Sequence, residues 1–210
     1  MPIGDARLYL VAPATLPAGP LADLVPGLAR GGVDLVQLRQ KEMEAGDLLR
    51  VGRAVADACR NSGITFVVND RPDVALALDA GVHLGQNDLP VGVARRILGT
   101  AIIGVSTHRP QEIDAALTAP DPIDYIAVGP VHETPTKPGR PATGLDLVQY
   151  AAAHATLPWF AIGGINAGNI ADVIGAGARR VVVVRAITES PDPPAAAAEL
   201  RALLDAAPLH

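Results

Sequence analysis

The chain has 210 residues, of which 49% are hydrophobic and only 3% aromatic, and it carries a formal net charge of −5. That length suits one domain, the apolar share excludes a disordered chain, and the acidic balance excludes a broad nucleic-acid-binding face while permitting a small basic pocket. The single cysteine, Cys59, excludes an internal disulfide framework and a cysteine-cluster metal site, and reads as a small buried residue on a helix. No apolar run reaches the roughly 18 residues of a membrane span, and the first residues lack the charged-then-apolar layout of a secretion signal. These features predict a cytoplasmic protein without membrane or nucleic-acid partners, and they are compatible with a homo-oligomer.

Residues 8–12 are a short apolar run, the first predicted strand. Pro13 and Pro17 mark a loop, and residues 21–30 read as a helix closed by Gly31-Gly32. The second strand covers 33–39. Leu48, Val51, Val55 and Cys59 then recur at helical spacing within 45–60, and Gly63 stops that helix. Further strands are predicted at 64–68, 81–85, 101–105, 125–128, 159–162 and 180–184. Helices alternate with them at 74–78, 91–98, 111–117, 145–154, 170–174 and 195–204. A long proline-rich connection, 129–144, follows the sixth strand. Strand and helix thus alternate about eight times without a break in composition, which predicts a parallel sheet. Eight such units in one domain predict an α/β fold of the closed (β/α)₈ kind, a single TIM barrel over residues 1–210. With so few aromatics its core must be built from Val, Ile, Leu and Ala, as buried parallel sheets are.

Function in such a barrel lies in the loops after the strand C-termini, and the polar residues gather there. Arg39 and Lys41 follow the second strand; Asn69 and Asp70 the third; Gln86, Asn87 and Asp88 the fourth. Ser106, Thr107 and His108 follow the fifth, Thr134, Thr136, Lys137 and Arg140 the sixth, and Gly163-Gly164 the seventh. Within the second strand Gln37, Arg39 and Lys41 alternate and so share a face. An amide and a guanidinium on a buried strand are costly unless they meet a ligand or a counter-charge. Arg39, Lys41 and Lys137 are cationic, whereas Asp70 and Asp88 are hard anionic donors. Together they suggest a diphosphate clamped by basic side chains and bridged to the carboxylates by Mg²⁺. Taken singly, each aspartate reads equally as a helix N-cap and Lys41 as a solvated surface charge.

A second anion site is suggested by Gly163-Gly164 and Val184-Arg185, at the loops after strands seven and eight where such barrels bind phosphate, although a lone Gly-Gly is also a tight turn. Two phosphate sites at one mouth suit a two-substrate reaction. His83, within the fourth strand, reads as a hydrogen-bonded core residue. His108 and His132 lie at the rim, with no orienting carboxylate evident in the sequence. No Ser/His/Asp arrangement, P-loop or dinucleotide fingerprint is present.

Taken together, the segments Val36-Gln37-Leu38-Arg39-Gln40-Lys41, Val68-Asn69-Asp70-Arg71, His83-Leu84-Gly85-Gln86-Asn87-Asp88, Gly104-Val105-Ser106-Thr107-His108, Thr134-Pro135-Thr136-Lys137 and Ile162-Gly163-Gly164-Ile165 resemble the thiamine-phosphate synthase family. The resemblance implies a transferase. It would join 4-amino-2-methyl-5-(diphosphooxymethyl)pyrimidine to 4-methyl-5-(2-phosphooxyethyl)thiazole, giving thiamine phosphate and pyrophosphate with Mg²⁺ as cofactor. By the family pattern the run Gln37, Leu38, Arg39, Gln40 and Lys41 would meet the pyrimidine diphosphate, with Asn69 and Lys137 beside it. Asp70 and Asp88 would hold Mg²⁺, and Ser106 would face the pyrimidine. Thr134, Pro135, Thr136, Gly164, Val184 and Arg185 would hold the thiazole phosphate. Arg39, Lys41, Ser106 and Lys137 would be the catalytic set. Arg185 departs from the family's usual serine, and His132-Glu133 stand where an aromatic residue and a proline are frequent. The same barrel would also suit a thiazole tautomerase-like isomerase using His108 or His132 as base, or a non-catalytic barrel that binds thiamine precursors.

Overall fold

Eight short parallel strands close on themselves in the computed structural model of the chain, which describes residues 3–133 and 141–207. They are β1 (Leu8–Ala12), β2 (Leu35–Leu38), β3 (Thr65–Asn69), β4 (Gly81–Leu84), β5 (Ile103–Thr107), β6 (Tyr125–Val128), β7 (Trp159–Ile162) and β8 (Val181–Val183). Each strand pairs with the next in sequence, and β8 returns to β1 with Val182 opposite Tyr9. The helices α1 (Leu21–Arg30), α2 (Ala45–Ser62), α3 (Pro72–Ala77), α4 (Val91–Leu98), α5 (Pro110–Leu117), α6 (Gly144–His154), α7 (Ile170–Gly175), α8 (Arg185–Thr188) and α9 (Pro193–Asp205) complete the α/β barrel. None of the described helices is long and apolar enough to cross a membrane.

The strands are buried on both faces, so alternate side chains feed two separate cores. Leu8, Leu10, Val36, Leu38, Val68 and Val82 point outward and pack under the helices. Tyr9, Val11, Leu35, Val67, Tyr125, Phe160 and Val182 point inward and fill the barrel. Of the six aromatic residues in the chain, three therefore sit inside the barrel, in edge-to-face contact at centroid distances of 5.5 to 5.8 Å. Gly104 makes room for them: a Cβ there would run into the Tyr125 ring.

The eight-fold alternation is as the sequence predicts, and three local differences bear on the site. β5 begins and ends two residues later than expected: its paired register runs from Ile103, opposite Val82 of β4, to Thr107, opposite Val128 of β6. Ser106 is consequently a strand residue whose side chain is directed into the barrel rather than a loop residue. The segment after β1 forms a small antiparallel hairpin, Thr15–Leu16 with Gly19–Pro20. Arg185 opens the short helix α8 instead of lying in a loop.

Candidate active site

The inward-facing residues nearest the C-terminal mouth of the barrel are Gln37 of β2, Asn69 of β3, His83 of β4, Ser106 of β5 and Ile162 of β7. Above them lie two adjoining clefts of ≈ 290 Å³ and ≈ 270 Å³. The larger is lined by Gln37, Arg39, Lys41, Asn69, Asp70, Asn87 and Asp88. The smaller is lined by Gly163, Gly164, Asn166, Arg185 and Glu189. Ser106, His108, Ile162, Val182 and Val184 line both and form the wall between them.

The two aspartates of the larger cleft are close enough to perturb each other. Asp70 is the first residue past β3 and adopts a left-handed backbone conformation, φ 63°, while its N–H donates to the His83 carbonyl at 2.9 Å. Lys41 Nζ lies 3.4 Å from its carboxylate. Burial and the neighbouring Asp88 raise the Asp70 carboxyl above its ordinary range, with Lys41 opposing them. Burial acts in the same upward sense on Asp88. There it is outweighed by the hydrogen bond with Asp70, by the Gly85 N–H at 2.6 Å and by the charge of Lys41, so Asp88 is held low. Neither aspartate caps a helix: the residues before α3 and α4 are Arg71 and Pro90. Among the described residues no group of three or more His, Cys, Asp or Glu side chains gathers that could hold a metal ion. A pair of hard carboxylates facing a cleft nonetheless fits Mg²⁺, which takes one or two carboxylates and completes its shell with substrate phosphates and water. A cation between Asp70 and Asp88 would also relieve the repulsion that raises Asp70.

The structure brings Gln37, Arg39, Lys41, Asn69, Asp70, Asp88 and Ser106 together in one cleft, and Gly164 and Arg185 in the other, with Val184 common to both. Two residues of the 37–41 run behave differently. Leu38 is fully buried with its side chain on the helix side, beside Gly52 of α2, so only its backbone could reach a ligand. Gln40 lines neither cleft, and its Oε1 accepts from the Ala14 N–H at 3.2 Å. Thr134, Pro135, Thr136 and Lys137 lie outside the described residues. At the smaller cleft Gly163 and Gly164 both take positive φ, 116° and 64°, and a side chain on Gly163 would meet the backbone at Pro130. The Arg185 guanidinium, half exposed, is 3.9 Å from the Glu189 carboxylate. His108 is held at the rim by its ring Nδ1 on the Gly129 carbonyl, 2.5 Å, and by its main-chain N–H on Glu112, 2.7 Å.

His83 is the hydrogen-bonded interior residue that the sequence indicates, but its partners were not legible there. Its Nδ1 lies 3.0 Å from the Tyr125 hydroxyl and its Nε2 2.9 Å from Ser106 Oγ. Tyr125 in turn lies 2.9 Å from the Tyr9 hydroxyl, to which Gln37 Nε2 also donates. Burial pushes both phenols above their ordinary range. Gln86 Nε2 donates to the Ser106 carbonyl at 2.6 Å and steadies the end of β5. The only sequence signal for this network was two tyrosines within predicted strands in a chain otherwise poor in aromatics.

Comparison with known proteins agrees with this geometry. The family model described as thiamine monophosphate synthase matches residues 8–187. A thiamine-phosphate synthase of Acidothermus cellulolyticus is 53% identical over 98% of each chain, and one of Streptomyces avermitilis is 55% identical over 94% of this chain and 93% of its own. A solved thiamine phosphate pyrophosphorylase of Pyrococcus furiosus superposes with a TM-score of 0.88 at 30% identity, covering 98% of both chains. The chain belongs to the thiamine monophosphate synthase family.

Proposed function

We propose that this transferase condenses 4-amino-2-methyl-5-(diphosphooxymethyl)pyrimidine with 4-methyl-5-(2-phosphooxyethyl)thiazole, the diphosphate lying in the larger cleft and the thiazole phosphate in the smaller. The observation that carries the assignment of sides is the pair of adjoining clefts of unlike chemistry. One combines two carboxylates with Arg39 and Lys41; the other combines paired glycines with Arg185; they meet at Ser106 and His108. A small molecule in each would present its reacting end at the shared wall, which is the positioning a two-substrate displacement needs.

Departure of pyrophosphate builds negative charge on oxygen. Arg39 and Lys41 stand where they would neutralise it, ready-placed and partly withdrawn from water, which is how electrostatic preorganisation lowers a barrier. Asp70 and Asp88 would hold Mg²⁺, which supplies Lewis-acid stabilisation of the diphosphate oxygens. The amino group of the pyrimidine can stabilise the methylene cation left behind, and the thiazole nitrogen then attacks it. That nitrogen carries a free lone pair, so no general base is required. Gly163 and Gly164 would let backbone N–H groups approach the thiazole phosphate, with Arg185 adding charge. The isomerase reading would need a proton-transfer residue instead, and the names of the relatives lend it no support. A cytoplasmic location is part of the same proposal.

The test is direct. The purified protein, supplied with both substrates and Mg²⁺, releases pyrophosphate and thiamine phosphate in equal amounts, and omission of either substrate abolishes thiamine phosphate. Conversion of a thiazole phosphate isomer without pyrophosphate release would overturn the proposal in favour of the isomerase.

A further inference from the structure

Gln37 and Ser106 sit on strands that do not pair with each other, yet an unbroken file of hydrogen bonds joins them beneath the larger cleft: Gln37, Tyr9, Tyr125, His83, Ser106. Five strands contribute one residue each. Tyr9 and Tyr125 are fully buried, and Gln37, His83 and Ser106 nearly so. A buried phenol proton left without an acceptor costs free energy, so the protons in this file cannot be placed independently.

Their direction follows from the end at Gln37. Its Nε2 can only donate, and it donates to the Tyr9 oxygen. The described partners of the Tyr9 hydroxyl are that amide and Tyr125, so the Tyr9 proton goes to Tyr125. The Tyr125 proton then goes to His83 Nδ1, which must be the unprotonated ring nitrogen. Nε2–H accordingly donates to Ser106 Oγ, and the serine proton is released toward the cleft. At the other end Gln37 Oε1, which accepts no hydrogen bond among the described residues, remains as the acceptor of the amide.

We propose that Tyr9, Tyr125 and His83 are positioning residues that polarise this file, so that the cleft presents Ser106 as a hydrogen-bond donor and Gln37 as an acceptor. The ligand this selects is a heterocycle with a ring nitrogen acceptor beside an exocyclic amine donor, an aminopyrimidine. The identity of that ligand rests on the proposed function, whereas the proton order does not. A pyrimidine with an oxo group in place of the amine offers the wrong donor–acceptor pattern and would leave a buried polar group unpaired.

The proton order is read by ¹⁵N NMR of the ligand-free protein at neutral to mildly alkaline pH, with the His83 signal identified by its loss in His83→Asn. Wild-type protein shows the Nε2–H tautomer; an Nδ1–H tautomer overturns the proposal whatever the enzyme's activity. Gln37→Glu, read at a pH where the new carboxyl is ionised, replaces the terminal donor by an acceptor and is expected to reverse the file, switching His83 to Nδ1–H. A tautomer unmoved by that change would show that the file is not ordered from Gln37.

Kinetics provide the second arm. Tyr125→Phe keeps the ring and removes the link. It is expected to lower kcat about tenfold with KM for the thiazole phosphate unchanged, and to cause no further loss in a Ser106→Ala background. Equal losses in both backgrounds would mean that the tyrosine acts only through packing. Should Tyr125→Phe fail to fold, Tyr9→Phe breaks the same file one step earlier and is held to the same outcomes. Absence of pyrophosphate release by the wild-type protein would refute the functional assignment while the tautomer measurement still decided the proton order.

Discussion

Asp70 is the residue on which geometry and chemistry meet most closely. Its carboxyl is raised from an ordinary value of 3.8 by burial and by Asp88. Between the ordinary and the raised value, the folded protein holds a proton that the unfolded chain has released. The folded state is therefore favoured most below the ordinary value and loses stability as pH rises through the raised one. Once ionised, Asp70 bears a cost that Asp70→Asn removes, and the lost contact with Lys41, itself half exposed, is worth little. We expect Asp70→Asn to unfold at a higher temperature than wild type at pH 7, yet to lose turnover. Added Mg²⁺ should raise the unfolding midpoint of wild type and leave that of the variant unmoved. A variant less stable than wild type at pH 7 would contradict this account of the pair. Arg39 is tested by activity: Arg39→Ala should lose more than tenfold in kcat, on the scale of about 3 kcal/mol for an oxyanion contact, and a near-wild-type rate would remove it from the clamp.

At the scale of elements, much of the site depends on where strands end. The alternation of Gln37, Arg39 and Lys41 was legible because a period of two survives any register. Whether Ser106 points inward was not, because the apolar pair Ala101-Ile102 resembles a strand start although the paired register begins only at Ile103. Gly104, two residues before Ser106, is tied to the same register. Gly104→Ala is expected to lower stability by about 2 kcal/mol, since the added methyl must displace the Tyr125 ring inside a filled barrel. Urea denaturation would report it, and an unchanged midpoint would mean that the interior can give way. The short helix α8 was also missed, its four residues being too few to show a helical period. It places Arg185 over the smaller cleft, where the resemblance leads one to expect serine. Arg185→Ser should raise KM for the thiazole phosphate about fivefold, the worth of a half-exposed charge contact of about 1 kcal/mol, with kcat little changed. A rise confined to the pyrimidine substrate would reverse the assignment of the clefts.

For the whole molecule, eight repeats of strand and helix carried the barrel, because alternation and length are coarse features that tertiary context seldom overrides. The rim position of the polar residues then followed from the fold alone. What did not follow was that three aromatic rings and a file of hydrogen bonds join the aliphatic filling of the interior. Contacts between residues as distant as Tyr9 and Tyr125, or His83 and Tyr125, arise only once the sheet closes. No local pattern encodes them. The same closure puts the two clefts side by side over Ser106, and the account stands or falls on what each cleft holds. The decisive measurement is a crystal structure with Mg²⁺, pyrophosphate and thiamine phosphate bound. Pyrophosphate is expected within hydrogen-bonding distance of Arg39 and Lys41, Mg²⁺ on Asp70 and Asp88, and the thiamine phosphate phosphoryl group against Gly164 and Arg185. Pyrophosphate in the Gly164 cleft, or the phosphoryl group among the aspartates, would contradict that assignment.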